Sequence, residues 1–280
     1  MNLIRTLIYD GQVSLTLADT TELVKEGARR HGLKGAAAKV LGKALSATAF
    51  LSAALKNDKG DISFSIEGDG VMGSLQAAGN RALAVRGYLQ NPCAEGTEEE
   101  LLGANGSLTV VRDDGYSRPF VGSSDFPKNP TVEKIFERYF EISEQLPTYL
   151  ALVVDTEEGG QVRFAGVAAL QPLPFTTEKT VEEMPKGEAL AKIVEKMRDD
   201  SPKNIAKDYF SAKSDGIEER EVAYKCKCSR EYLSQVLVTL GEAQLNAIVE
   251  EEGKVSAHCA FCNTDYSFTK ADIKRIFGKE

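Results

Sequence analysis

Apolar and polar residues alternate along several short runs in the first 175 residues, which predicts β-strands there. Residues 1–17 alternate loosely, and Asp10 and Gly11 mark a turn between two strands. Residues 108–111 and 149–155 are further candidate strands, the second as one nearly continuous apolar run. A half-buried strand is predicted where serines separate three apolar residues, Ile62, Phe64 and Ile66.

Other runs in the same region have the spacing of helices. Residues 36–55 are rich in alanine and nearly uncharged, which is typical of a helix buried on most of its circumference. Residues 132–145 predict an amphipathic helix that ends before Pro147. We expect its apolar stripe to pack in the core, although part of it could serve a partner: Val132, Ile135, Phe136, Tyr139, Phe140 and Ile142. Residues 1–175 are therefore predicted to form a large mixed α+β domain.

The stretch between residues 68 and 87 is rich in glycine and could be mistaken for a phosphate-binding loop. The pattern G-x-x-x-x-G-K-[ST] of such loops does not occur in it. Glycine between or within short strands commonly allows tight turns and bulges. We interpret five glycines in this way: Gly68, Gly70, Gly73, Gly79 and Gly87.

Residues 176–221 differ in kind from the preceding domain, because 21 of these 46 residues are charged. A short amphipathic helix is still predicted from Leu190, Ile193, Val194 and Met197, whereas prolines at 185 and 202 interrupt any longer helix. Such a segment can pack on a neighbour but cannot build a core of its own. We therefore predict a charged helical linker whose order depends on what it contacts.

Four of the five cysteines form two tight pairs near the C-terminus, Cys226 with Cys228 and Cys259 with Cys262. Two close thiolate pairs, separated by the length of one small module, have the spacing of a tetrahedral zinc site. We therefore predict one bound Zn²⁺. Oxidants convert the same sulfurs to disulfides, and a C-x-C pair would close a small strained ring that is easily reduced. Reversible redox switching is thus a second prediction of the pattern.

Residues 222–280 are the predicted zinc-binding domain. Helical spacing predicts one helix that ends at Gly241, a second, shorter helix that ends at Gly253, and a last helix that begins with a capping box from Thr269 to Asp272. The apolar stripe of the first helix is Leu233, Val236, Leu237 and Leu240. A module this small is marginally stable, whereas a structural zinc supplies an apparent ~10–16 kcal/mol in finger peptides. Loss of zinc should therefore unfold the module, loosen the linker and expose apolar surface.

Composition and charge argue against several classes of function, namely membrane proteins, secreted proteins and nucleic-acid-binding proteins. No run approaches the roughly 20 apolar residues that span a bilayer, and the N-terminus lacks the pattern of a secretory signal. We predict a cytoplasmic protein that does not bind membranes and whose thiols are kept reduced. The net charge of −8 argues against nucleic acid as a partner. Residues 222–280 carry eight basic and eight acidic side chains, which weakens the idea of a nucleic-acid-reading finger without excluding it.

Several single residues have competing interpretations. Cys93 lies far from the other cysteines and is interpreted as a small, mostly buried thiol. His258 is adjacent to a predicted ligand, but four thiolates already fill the metal shell, and His31 is expected at a helix end on the surface. Cations beside the first cysteine pair either stabilise thiolates or are ordinary solvated charges: Lys225, Lys227 and Arg230. Hydrolytic or transferase constellations do not stand out, so we predict that the protein is not an enzyme.

Several longer sequence motifs are similar to those of a known protein family. The relevant stretches are CKCSREYLSQVLVTLGEAQL at 226–245, HCAFCNTDYSF at 258–268, VRGYLQNP at 85–92, YFEISEQLPT at 139–148 and ALQPLP at 169–174. With the C-x-C and C-x-x-C spacing, they extend over nearly the whole chain. The sequence strongly resembles the redox-regulated chaperones of the bacterial heat-shock protein 33 family.

This resemblance carries expectations that the residue patterns alone do not. It implies a client-binding α+β domain, a metastable linker that covers the client surface, and a zinc domain that senses oxidants. It implies zinc ligation by Cys226, Cys228, Cys259 and Cys262 in the reduced state. On oxidation it implies disulfides Cys226–Cys228 and Cys259–Cys262, zinc release, linker unfolding and ATP-independent binding of unfolding proteins, commonly as a homodimer.

Two other functional classes are compatible with the cysteine pattern. A thiol–disulfide oxidoreductase would turn over a disulfide substrate and would need a reactive thiol that no metal occupies. A zinc-dependent adaptor for nucleic acid or protein would bind its partner constitutively, with an affinity that depends on salt.

Overall fold

The structure, a computed structural model, describes residues 2–278. Its strands are β1 (Asn2–Ile8), β2 (Val13–Asp19), β3 (Asp61–Gly68), β4 (Ser74–Asn80), β5 (Ala84–Leu89), β6 (Gly106–Asp113), β7 (Phe120–Asp125), β8 (Tyr149–Thr156), β9 (Val162–Pro172), β10 (Glu218–Glu221), β11 (Ala223–Tyr224), β12 (Val255–Cys259) and β13 (Thr264–Phe268). Its α-helices are α1 (Thr21–His31), α2 (Gly35–Ala53), α3 (Glu98–Leu102), α4 (Val132–Tyr139), α5 (Glu178–Glu183), α6 (Glu188–Glu195), α7 (Pro202–Phe210), α8 (Arg230–Val238), α9 (Glu242–Glu252) and α10 (Lys270–Ile276). These elements form two units, one ending at Tyr224 and one beginning at Lys225. The predicted α+β class is confirmed.

The predicted N-terminal strand pair lies in the middle of an antiparallel sheet with the order β10-β1-β2-β9-β8. Asp10 and Gly11 form the turn between β1 and β2, both with positive φ, as the sequence predicts. Strand β2 is buried on both faces. Helices α1 and α2 pack on one side of this sheet, and α6 and α7 pack on the other. The sheet therefore contributes to two hydrophobic cores.

A second sheet has the order β11-β5-β4-β3-β6-β7. Ile62, Phe64 and Ile66 of β3 are buried while the serines between them are half-exposed, which confirms the predicted half-buried strand. Helix α2 packs against strands of both sheets, and its many alanines allow this close approach. Neither α2 nor any other helix in the described residues combines the length and apolar character needed to cross a membrane.

The glycines between residues 68 and 87 have two different roles. Gly70 and Gly73 lie in the connection from β3 to β4, as predicted. The interpretation as turns is wrong for Gly79 and Gly87, which lie inside β4 and β5. A Cβ on Gly79 would collide with the Ser52 hydroxyl of α2, so glycine is needed there for packing. Residues 68–73 also have the spacing G-x-G-x-x-G, but a strand and not a helix follows them, so the context of a dinucleotide-binding loop is missing.

The helix predicted over residues 132–145 is divided in two. Helix α4 is followed by a π-helical turn from Phe140 to Glu144, and Gln145 ends the turn in the left-handed region. Five of the six predicted stripe residues are buried, but Ile142 is 47% exposed. The assignment of Ile142 to the stripe is wrong because the π-helical turn has a wider period than an α-helix and rotates this side chain outward.

Residues 176–221 pack on the face of the first sheet opposite α2. The predicted amphipathic helix is confirmed as α6, in which Leu190 and Val194 are fully buried. Pro202 does more than interrupt a helix, because it is the first residue of α7 and follows the capping residue Ser201. By its contacts this segment belongs to the first unit. Its role as a conditional linker stays a prediction.

The chain passes from one sheet to the other immediately before the second unit. Strand β10 pairs with β1 at the edge of the first sheet, and β11 pairs with β5 at the edge of the second. Val222, between them, is buried. The Tyr224 hydroxyl donates a hydrogen bond to the Gly87 carbonyl oxygen at 3.1 Å. Residues 218–224 are thus held by both sheets just ahead of Cys226.

The second unit has a small core of its own. The capping box from Thr269 to Asp272 at the start of α10 is confirmed. The predicted stripe on α8 is only partly right, since Val236 and Leu240 are 43% and 48% exposed. The prediction that the second helix is the shorter one is wrong, because α9 has eleven residues and α8 has nine. Strand β13, which pairs with β12 as a hairpin, was not predicted. The buried members of this core are Leu237, Leu245, Val249, Val255, Phe268 and Ile273.

The aromatic contact between Phe136 and Phe64 offers a test of the first core. The two rings meet edge-on with centroids 4.9 Å apart, and Phe136 is fully buried. We predict that Phe136→Ala lowers the free energy of unfolding by about 3–5 kcal/mol. The control Phe120→Ala, at a half-exposed position of β7, should cost less than about 1 kcal/mol. Urea denaturation followed by circular dichroism measures both, and equal losses would contradict the packing.

Candidate metal centre

The four paired cysteines come from two loops of the second unit. Cys226 and Cys228 lie between β11 and α8, and Ser229 then caps α8 through its side-chain oxygen. Cys259 ends β12, and Cys262 lies in the turn before β13. The Cys262 N–H donates to the Cys259 carbonyl oxygen at 3.3 Å. The hairpin therefore shapes the second pair into a knuckle.

The sulfur atoms of these cysteines converge on one point. All four Sγ atoms lie within 4.8 Å of one another. The Cys226–Cys259 sulfur distance is 3.7 Å and the Cys228–Cys262 sulfur distance is 3.0 Å. A tetrahedral zinc site with Zn–S bonds of about 2.3 Å has sulfur–sulfur edges of about 3.8 Å. The first distance matches such an edge and the second needs only a small outward movement, so the four thiolates fit one zinc ion, the metal that this soft donor set favours.

Burial and hydrogen bonding give the thiols unequal acidities. Burial raises the pKa of Cys226 well above its usual range and raises the pKa of Cys262 to about 11. Burial also acts to raise the pKa of Cys228, but hydrogen bonds with Tyr266 and neighbouring cysteines outweigh it and lower that pKa to about 7. Metals bind the thiolate form, so an ion entering the site would have to displace the protons that the raised pKa values keep on Cys226 and Cys262.

Tyr266 belongs to this site, although the spacing of the cysteines does not point to it. Its hydroxyl lies 3.4 Å from the Cys228 sulfur, and the hydrogen bond with Cys228 raises the pKa of the tyrosine. The ring packs against the core of the second unit. One signal in the sequence pointed to its position. Thr264, Tyr266 and Phe268 alternate with more polar residues, which is typical of a strand with one buried face.

Arg230, one of the cations beside the first cysteine pair, stabilises the surroundings of the site. It donates to the Ser267 carbonyl oxygen at 2.8 Å, forms an ion pair with Asp272 at 2.9 Å, and lies over the ring of Phe268. These contacts join the start of α8 to β13 and α10. They favour a structural role for Arg230 over the alternative of thiolate stabilisation.

The other residues singled out in the sequence lie outside the sulfur cluster. His258 is adjacent to Cys259, but its Nδ1 lies 2.8 Å from an Asp265 carboxylate oxygen. His31 ends α1, as predicted. The interpretation of Cys93 as a buried thiol is wrong, because it lies exposed in the loop after β5. The Asn91 side chain accepts a hydrogen bond from the Cys93 backbone N–H, which holds the residue in a surface turn.

Comparison with known proteins identifies the family of this chain. The family model described as Hsp33 protein matches residues 2–269. The chain belongs to the Hsp33 family. The 33 kDa chaperonins of Bacillus cytotoxicus and Bacillus pumilus are 33% and 30% identical to it, and each alignment covers 98% of this chain and 97% of the relative. The crystal structure of the 33 kDa chaperonin from Thermotoga maritima matches with a TM-score of 0.81 at 28% identity, covering 99% of this chain and 97% of that one.

The geometry of this Hsp33 family member leads to a metal-binding prediction. We predict that the reduced wild-type protein binds about one zinc ion per chain and that Cys262→Ser binds almost none, because a neutral hydroxyl is a much poorer zinc ligand than a thiolate. Cys93→Ser, which removes the exposed cysteine outside the cluster, should retain full zinc content. Elemental analysis of the purified proteins measures this. Normal zinc content in Cys262→Ser would contradict the assignment.

Proposed function

We propose that this protein is a chaperone that binds unfolding proteins without ATP and that oxidation activates it. Membership of the Hsp33 family, whose relatives are named chaperonins, supports the chaperone activity. The observation that carries the redox part is the convergence of four cysteine sulfurs in the second unit. Thiolates that hold a metal are also the atoms that oxidants attack. The same four cysteines can therefore both stabilise the domain through a metal and detect an oxidant.

In the reduced state, we propose that Cys226, Cys228, Cys259 and Cys262 hold one zinc ion, which acts as a structural cross-link. A structural zinc is worth an apparent ~10–16 kcal/mol in finger peptides, against ~5–15 kcal/mol for the whole stability of a typical domain. The described part of the second unit has only six buried hydrophobic residues in its core. Its folding therefore depends on these sulfurs remaining available as thiolates.

Oxidation withdraws the ligands from the metal. Two thiolates, one peroxide molecule and two protons give one disulfide and two water molecules, so two peroxide molecules suffice for all four cysteines. We propose the bridges Cys226–Cys228 and Cys259–Cys262, which the family resemblance implies. The two short sulfur contacts run between the pairs and not within them. Since all four sulfurs lie within 4.8 Å of one another, only local movement is needed for either pairing.

The surface that activation would uncover lies beneath residues 176–221. Apolar side chains of this segment share a core with strands of the first sheet, including Ile4, Val13 and Leu15. The buried residues that the segment contributes to this core are Met184, Leu190, Val194, Met197, Ile205, Ala206, Phe210 and Ala212. If the segment detaches, one face of the sheet becomes a contiguous apolar surface, and such surfaces bind other proteins.

The connection between the sensor and this covering segment is short. Residues 218–224 run directly into Cys226, and they are held by the four-residue strand β10 and the two-residue strand β11. We propose that unfolding of the second unit loosens these two strands and then the charged segment before them. Few backbone pairings would have to break, and the segment has too few apolar residues to stay folded alone.

The proposed partners are unfolding polypeptides, with a homodimer as the active form and the cytoplasm as its location. The net charge of −8 disfavours nucleic acid as a partner, and membranes are not proposed as partners. We propose no enzymatic turnover, because a chaperone of this type binds its clients stoichiometrically.

The redox dependence can be tested with an unfolding client. We predict that peroxide-treated protein suppresses the light scattering of a thermally unfolded client at near-stoichiometric ratios, whereas the reduced, zinc-loaded protein does not. The treated protein should have lost one zinc ion and four thiols per chain, and reductant with added zinc should reverse both changes. Equal protection in the two states would rule out redox regulation. Multiple turnover of a small disulfide substrate would instead favour an oxidoreductase.

The covering role of residues 176–221 can be tested without an oxidant. Leu190 lies in α6 and is fully buried, whereas its neighbour Ala189 in the same helix is exposed. We predict that Leu190→Asp detaches the segment, because burying an unpaired carboxylate has a high free-energy cost. The reduced variant should then protect clients. The control Ala189→Asp should stay inactive until oxidised. Zinc content and circular dichroism verify that both variants are folded, and a folded Leu190→Asp protein that still requires peroxide would contradict the covering role.

A further inference from the structure

The hydroxyl of Tyr266 links the two cysteine loops of the candidate metal centre. Cys228 precedes α8, whereas Tyr266 lies in β13, and the distance between the hydroxyl and the sulfur is 3.4 Å. This is within hydrogen-bonding range for a sulfur acceptor. We propose that Tyr266 donates this hydrogen bond to the Cys228 thiolate and thereby sets how readily the cysteines are oxidised. The inference rests on the proposed zinc ligation and adds a residue that tunes the switch.

The position of the tyrosine ring is fixed by its surroundings. Tyr266 is paired with Ala257 across the β12–β13 hairpin, and its ring packs on the core of the second unit beside the fully buried Phe268. A side chain held at both backbone and ring can aim its hydroxyl at one atom. Tyr266 is thus a positioning residue that acts through Cys228, and not a metal ligand itself.

A hydrogen bond to the sulfur should slow its reaction with peroxide. In that reaction the thiolate attacks one peroxide oxygen, an S–O bond forms, the O–O bond breaks, and the departing hydroxide takes a proton. A second thiolate then displaces hydroxide from the sulfenic acid to form the disulfide. The nucleophilicity of a thiolate falls as its basicity falls. A donor that withdraws electron density from Cys228 therefore makes the first attack slower.

The same hydrogen bond should strengthen metal binding by orienting the ligand. Outer-shell partners of metal ligands commonly contribute about 10–100-fold in affinity. Loss of the hydroxyl would then make the thiolate more nucleophilic and the ion less tightly held. Both effects act in the same direction, toward earlier activation by oxidant.

Tyr266→Phe tests this inference because it keeps the ring and removes only the hydroxyl. Reduced, zinc-loaded full-length protein is mixed with a fixed excess of peroxide, and zinc release is followed with a chromogenic chelator. We expect release at least about threefold faster than in the wild type, the factor that a Brønsted coefficient of ~0.4–0.5 gives for a tenfold change in basicity. Tyr232→Phe is the matched control, since Tyr232 is 53% exposed on α8 of the same unit, and its rate should equal that of the wild type.

A second measurement separates tuning from a purely structural role. Zinc affinity is measured by chelator competition without oxidant, and Tyr266→Phe is expected to lose up to about 100-fold. A larger loss, or a variant whose second unit does not fold with zinc, would show that Tyr266 is needed to build the site and would overturn the inference. Release at the wild-type rate, or more slowly, would overturn it as well. A wild-type protein that binds no zinc would instead contradict the proposed function on which the inference rests.

Discussion

A sulfur atom can be a metal ligand or half of a disulfide, but not both, and the proposed behaviour of this protein depends on that incompatibility. In the second unit four sulfur atoms lie within 4.8 Å of one another, close enough to share one metal ion or to form disulfides. The hydrophobic core around them is small. Where apolar burial is limited, a single coordination site can decide whether a domain is folded.

The first unit, in contrast, has a large hydrophobic core. Its two sheets enclose α2, whose nineteen residues are almost all buried, and the main core extends through both sheets. Close approach is possible because the helix is rich in alanine and because Gly79 and Gly87 present no side chain to it. Apolar packing is therefore the main source of stability in this unit. In the proposed activation, the first core would stay folded while more weakly held segments rearrange.

Residues 176–221 lie between these extremes. They bury apolar side chains on the first sheet, yet nearly half of them are charged and their helices are short. The packing on the sheet is what the proposed conditional order of this segment would depend on. The short strands β10 and β11 join them to the cysteine-bearing unit. A chemical change at the sulfurs thus has a direct covalent route to the least self-sufficient part of the first unit.

The sequence alone determined features that depend on neighbours along the chain: the paired spacing of the cysteines, the alternation in β3, the buried helix α2 and the capping box at Thr269. Tertiary structure decided which side chains are covered and what they meet. The outward rotation of Ile142, the exposure of Cys93 and the contact of Tyr266 with Cys228 follow from elements distant in sequence or from local helical geometry. Periodicity indicates which face of an element is apolar, but it carries no information about which other element will lie against that face.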